Sequence, residues 1–300
     1  MNLREKRSDL KNDLIITIFA APIVAGIFLV SVLPTVLATL TSFTTLELSF
    51  DLVWEYSGLA NYRDALANPL FLKSFRIGTI WAVSVTVLAM LMGFVLALLI
   101  ERKKRYSGLL KFLSMFPWAL SPVVVAIIWE ILLNPNSGPI NGTLRAFGLP
   151  WGNKSFLGDF ATALPTVIVI GAWLSIPLIT VSFISSLKTL RSEIMEAALM
   201  DGAKASQRLK YIVIPHLRPV TTSLFALNII WNFNSLGLVY VLTNGGPGGQ
   251  TYLPALFVYD ESFRYGNFGY AAAMGTIITI ALVVVLGFYV ARRKKLEIES

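Results

Sequence analysis

Two groups of residues have the types and spacing to do chemistry. The first is Glu196-Ala197-Ala198, followed by Asp201-Gly202. Ile194, Ala197 and Ala198 fall at i, i+3 and i+4, which predicts a short helix with one apolar stripe. Alanine on that stripe permits close approach of another surface. Glu193 and Glu196 lie near the helix start, where carboxylates suit the dipole. Gly202 can take the left-handed conformation that ends a helix and turns the chain. A second short helix is predicted to run to about Tyr211, stopped by Pro215. These local features fit an amphipathic connector on a membrane surface as well as they fit a docking element.

The second group is Asn228, Trp231, Asn232 and Ser235, at i, i+3, i+4 and i+7 on one helical face. Amides and hydroxyls exchange hydrogen bonds with a hydroxylated solute, and an indole stacks on the solute's C–H face. The same groups serve equally well to bond neighbouring helices, and side-chain chemistry alone favours that role. Catalytic chemistry has little raw material. There are no cysteines and one histidine, His216, without a partner for catalysis or metal binding. The expectation is therefore no catalytic residue and no metal site. No phosphate-binding G-x-x-x-x-G-K-[ST] occurs; Gly152-Asn153-Lys154-Ser155 has the wrong spacing.

The elements that must position these groups are set by composition. Of the 300 residues, 55% are hydrophobic and 14% charged, against about 25% charged in a soluble domain. A bilayer core about 30 Å thick needs about 20 mostly apolar helical residues. Uncharged runs of that kind are Leu14–Thr41, Ile77–Ile100, Phe112–Trp129, Phe160–Leu187, Thr221–Leu242 and the run ending at Ala291, which begins near Tyr270. The chain is thus predicted to be an all-α integral membrane protein with six transmembrane helices. The first run is too long in its apolar part, and lacks a cleavage signal, to be a signal peptide.

Six spans put both termini on one side. If that side is the cytoplasm, tail 1–13, loop 101–111, loop 188–218 and the C-terminal tail carry nineteen Lys/Arg, and the opposite side six. That satisfies the positive-inside rule. The net charge of +8 then reports topology and anionic lipid headgroups, with no case for nucleic acid. The organisation expected is a cytoplasmic tail 1–13, a transmembrane domain 14–291 carrying the cytoplasmic loop 188–218, and a cytoplasmic tail 292–300.

The long inward loop has a recognisable pattern: Glu-Ala-Ala, three residues, Gly, nine residues, Ile, one residue, an apolar residue, Pro. Glu196, Ala197, Ala198, Gly202, Ile212, Ile214 and Pro215 together resemble the EAA loop of ABC importer permeases. Asp201-Gly202-Ala203 and Pro219 resemble the sugar-importer branch. Gly58-Leu59-Ala60-Asn61-Tyr62, Trp129 with Asn134-Pro135, and Leu242-Thr243-Asn244-Gly245-Gly246-Pro247 through Gly269-Tyr270-Ala271 are similar to segments of maltose-type permeases. Two positions depart: Arg191 stands where the family usually has Pro, and Gly78-Thr79 where it often has Asn-Thr.

The resemblance implies the ABC importer permease fold and a translocation path for a sugar or sugar derivative. It implies a second permease, two cytoplasmic ATPase subunits that carry the ATP and Mg, and an extracytoplasmic solute-binding protein, in a prokaryotic cytoplasmic membrane. It assigns Glu196 as the polar contact to the ATPase, Ala197 and Ala198 as the packed face, and Asp201-Gly202 as the bend. It aligns Asn228, Trp231, Asn232 and Ser235 with the family's sugar contacts, and likewise Gly171, Leu174, Ser175 and Leu178. This chain is expected to hold no cofactor and to be no enzyme. The rivals are an ABC permease for a non-carbohydrate solute, such as a phosphorylated polyol, and an ion-driven secondary transporter. The first would favour cations in the pore and the second ionisable residues mid-membrane; the spans hold neither.

Overall fold

The computed structural model describes residues 19–48, 52–102 and 107–298. The expected tail 1–13, the start of the first span and Lys103, Lys104 and Arg105 lie outside these residues. Among the described residues the regular structure is helical apart from one two-stranded ribbon, and the chain divides into two compact units: residues up to 67 with 258–280, and residues 68–257 with those from 281 on.

In the first unit, α1 (Phe19–Thr41) is apolar on all sides and none of its residues is buried. A helix of that kind is solvated by lipid or by another membrane helix. After it come β1 (Glu47–Leu48) and β2 (Leu52–Val53), paired antiparallel, then α2 (Ala60–Ala67). Asn61 draws this segment together, its Nδ2 donating to the carbonyls of Ser42 at 3.0 Å and Thr44 at 2.8 Å. The backbone N–H of Gly269 donates to Leu46 O at 3.0 Å. The Gly-Leu-x-Asn-Tyr and Gly-Tyr-Ala stretches therefore both clasp the segment 42–46 that leads into the ribbon.

The second unit holds α3 (Pro69–Arg102), α4 (Ser107–Met115), α5 (Pro122–Leu132), α6 (Pro139–Ala146), α7 (Ala163–Lys188), α8 (Ser192–Met200), α9 (Ala205–Arg208), α10 (Ile214–Phe233) and α11 (Gly237–Leu242). Its core is α3 packed on α7, with α10 antiparallel against both. Close approach comes from two glycines facing large partners. A Cβ at Gly93 would come within 2.7 Å of Ile179, and one at Gly171 would overlap the indole of Trp81. Lipid tails are as apolar as Leu, so such shape fit, rather than apolar burial, holds membrane helices together. The departure at Gly78 has a similar cause: a Cβ there would come within 2.7 Å of the Pro254 ring.

Not all of the six expected spans are single unbroken helices. Among the described residues, four helices are long and apolar enough to cross a membrane: Phe19–Thr41, Pro69–Glu101, Ala163–Leu187 and Phe268–Gly287, the last within α12 (Phe268–Ile298). The run expected at Phe112–Trp129 is a pair of helices bent by 102° between Ala119 and Pro122, which makes a fifth span if counted as one. Proline cannot supply the N–H that would carry a helix across this point, and Ser121 starts α5 anew by accepting from Val124 N at 3.3 Å. The run expected at Thr221–Leu242 also breaks, because α10 ends at Phe233 and α11 begins at Gly237. Asn234 bonds back to Ile230 O at 3.1 Å, the local side-chain competition that disfavours further helix.

Pro215 does not stop the second loop helix. The chain is helical from α9 through a π-turn at Leu209–Val213 into α10. Proline lies in the first turn of α10, where its missing N–H costs little.

Candidate functional site

Loop 188–218 builds α8 from local chemistry alone. Arg191 is its N-cap residue, extended at φ −64° and ψ 129°. That φ is close to proline's own value, so the departure from the family's Pro leaves the backbone unchanged. Its guanidinium lies 3.5 Å from Glu193, both side chains exposed, a pairing worth little in water.

The far end of α8 is closed by backbone. Gly202 has φ +77°, its N–H donates to Leu199 O at 3.0 Å, and Ala203 N–H donates to Ala198 O at 2.9 Å. This is the Schellman arrangement, which satisfies the terminal carbonyls and reverses the chain. Lys204 N–H then donates to Gln207 Oε1 at 2.7 Å and opens α9.

Every residue of α8 is left unburied. Ile194 is 45% exposed, Leu199 53% and Met200 88%, and Glu196, Ala197, Asp201 and Gly202 are exposed beside them, with Ala198 half-buried. Of the stripe read from the sequence, Ile194 and Ala197 therefore face outward. Met195 turns the other way and lines a cleft against α3 and α7. The loop is tied to the bundle at its end by His216, whose Nε2 donates to Ser186 O at 3.0 Å and lies 3.1 Å from Thr189 Oγ1.

The polar line on α10 is disposed differently. Asn228 and Asn232 are buried, and each amide donates along its own helix: Asn228 to Leu224 O at 2.9 Å, Asn232 to Asn228 O at 2.8 Å. Trp231 is 56% exposed. Ser235 lies beyond the helix end, so the expected four-residue face is a three-residue face followed by a turn. On α7, Gly171 is buried beneath Trp81, while Leu174, Ser175 and Leu178 are half-buried. Ser175 Oγ donates to Gly171 O at 3.0 Å.

Trp81 is the residue that sequence reasoning missed. It is 1% exposed, covers Gly171, and donates its indole N–H to Asn232 O at 2.9 Å. It joins the two groups of the expected path through packing, and its lone Trp in an apolar run carried no signal of that. Another tryptophan, Trp173, lies edge-on to Trp129 of α5 with ring centroids 5.8 Å apart.

Long apolar helices packed through small residues, with one exposed loop helix, describe a polytopic membrane protein that offers a helix to a partner. A model of the binding-protein-dependent transport system inner membrane component matches residues 87–295, and the chain belongs to that family of ABC transporter permeases. A probable ABC transporter permease of Pyrococcus horikoshii is 32% identical over 236 residues, 78% of this chain and 81% of the relative. The sn-glycerol-3-phosphate transport system permease protein UgpA of Agrobacterium fabrum is 29% identical over 246 residues, 82% of this chain and 83% of the relative. The crystal structure of a bacterial alginate ABC transporter, in complex with an alginate pentasaccharide-bound periplasmic protein, superposes with a TM-score of 0.81 at 19% identity, covering 94% of each chain. A second crystal structure, of a bacterial ABC transporter involved in the import of the acidic polysaccharide alginate, gives 0.83 at 18% identity, covering 97% of this chain and 99% of that one. At these identities the two structures speak for the fold.

Proposed function

We propose that this permease imports a sugar or sugar derivative and that α8 is its coupling element, seated in a cleft of a cytoplasmic ATPase. The observation that supports this reading most is the exposed α8, closed at its C-terminal end, which offers Glu196, Ala197 and Ala198 with Ile194, Leu199 and Met200 to a partner. A short helix closed at its C-terminal end moves as a rigid lever, so closure of an ATPase pair would be passed to α7 and α10. Asp201-Gly202 is the bend that keeps the lever short. ATP and Mg act on the ATPase subunits, and this chain holds no cofactor.

The assembly contains a second permease, two ATPases and an extracytoplasmic solute-binding protein, in the cytoplasmic membrane of a prokaryote. Both termini and loop 188–218 face the cytoplasm, and the bent α4–α5 pair and the broken α10–α11 pair complete six passes. The nineteen-to-six distribution of Lys and Arg supports that orientation. Asn228, Trp231, Asn232 and Ser235, with Gly171, Leu174, Ser175 and Leu178, flank the solute path.

Gentle purification of the tagged chain from its native membrane, with co-purifying chains identified by mass, tests the assembly. An ATPase and a second permease support it. A chain that purifies alone under every mild condition sinks the coupling role and favours an ion-driven transporter. The companion binding protein is then screened against neutral sugars and sn-glycerol 3-phosphate. Binding of the phosphate ester alone would replace the sugar reading with the phosphorylated-polyol one.

A further inference from the structure

We infer that the cleft beneath α8 binds an anionic phospholipid, with its phosphate on Arg208. The cleft encloses about 490 Å³. Its walls are Val95 and Leu99 of α3, Leu187 at the end of α7, Met195 of α8, and Val213. Both α3 and α7 are long and apolar enough to cross a membrane, and these residues lie in their last turns. The cleft therefore sits where an acyl chain gives way to its headgroup.

Among the described residues, two charged side chains line it, Glu101 and Arg208. Glu101 is exposed at the rim. Arg208 Nε is buried and has no hydrogen-bond partner among the described residues. Leaving a buried charged donor unmade is costly, and the guanidinium fork matches a phosphate with two parallel bonds. An apolar trough ending on such a cation has the chemistry of an acidic lipid: alkyl chain on one side, phosphate on the other. The flanking Lys188, Lys204 and Lys210 are exposed and add positive potential.

Met195 places the lipid against the underside of α8. The occupant would brace the lever, so that coupling depends on leaflet charge. The inference rests on the proposed cytoplasmic side of loop 188–218 for the leaflet concerned. It does not rest on α8 touching an ATPase.

The test uses the assembled importer reconstituted in nanodiscs of phosphatidylcholine alone, or of phosphatidylcholine and phosphatidylglycerol in equal parts. Retained lipids are counted by native mass spectrometry after extraction. Wild type should retain phosphatidylglycerol in preference. Arg208→Gln should lower that preference about fivefold, the weight of one basic group at an anionic surface, and Arg208→Lys should keep most of it. Glu101→Gln should leave retention unchanged or raised. The inference is overturned if Arg208→Gln, folded by its thermal transition, keeps wild-type retention. It also fails if Glu101→Gln loses as much as Arg208→Gln, since Arg208 then serves Glu101. Displacement of the lipid by excess inorganic phosphate would make this a free-anion site instead. A sample that retains phosphatidylglycerol but carries no ATPase refutes the coupling role and leaves this site standing.

Discussion

The loop helix α8 and the polar line of α10 differ in where their hydrogen bonds go and what covers them. The C-terminal end of α8 is closed by its own backbone, most of its side chains are exposed, and no residue of it is buried. Asn228 and Asn232 of α10 are buried, donate into their own helix, and carry Trp81 on the backbone of the second. One surface is complete locally and offered outward. The other is part of the packing that holds α3, α7 and α10 together. Substitutions in α8 should therefore separate function from stability, and substitutions at the α10 line should mix them.

The largest effect is predicted where α7 meets α3. Gly171→Ala forces the Trp81 indole to shift, and overpacking of that kind costs about 1–3 kcal/mol. Gly275→Ala, with open space around it inside α12, is the control and should be neutral or slightly stabilising, because alanine favours helix. Thermal unfolding in detergent compares them, and equal stability would show that the Trp81–Gly171 fit carries no weight.

Gly202→Val comes next. Nothing lies within 4 Å of the added Cβ, but φ is +77°, which costs a side chain about 1–2 kcal/mol. That strain acts on the end of α8 and not on the bundle. Transport should fall about tenfold with an unchanged thermal transition of the spans. A parallel loss of stability would mean that the loop is not an independent element.

Asn232→Leu sharpens the other side of the comparison. Loss of its bond to Asn228 O costs about 1 kcal/mol or less, so stability should fall slightly. Trp231→Ala, at an exposed position, should leave stability unaffected. If transport of the identified solute collapses in both, α10 contacts the solute. If transport tracks stability, the amides are packing groups alone.

The smallest effect concerns Asp159, just before α7. The Ala161 N–H, 2.9 Å from Oδ1, holds its carboxyl below the usual value, and Lys154 at 3.7 Å adds to this. A depressed carboxyl contributes stability that is present above about pH 4 and is lost as pH falls through the lowered value. Asp159→Asn should lower the thermal transition slightly at neutral pH, and the difference from wild type should vanish in acid. A difference that persists in acid would show that charge at Asp159 is not what matters.

Much of this was legible along the chain because it depends on neighbours a few residues apart. The apolar runs declared a membrane protein, and the short helix carrying Ile194 and Ala197, with its terminator Gly202, followed from helical spacing. Breaks were less legible. An uncharged run at Phe112–Trp129 says how much is apolar and not whether it is straight, and Pro117 with Pro122 turned it by 102°. At Pro215 the opposite error arose, since a proline in a first helical turn looks the same in sequence as one that ends a helix.

What the sequence by itself determined is the solvent of each segment and the local form of loop 188–218, because hydropathy, capping and left-handed turns are settled within a few residues. Only the tertiary structure decided which polar groups of α10 and α7 are spoken for. The Trp81 indole bonds a carbonyl 151 positions away in the chain and lies over a glycine on a third helix. No periodicity encodes such a match, because it depends on which helices meet, and at what distance, once the bundle has closed.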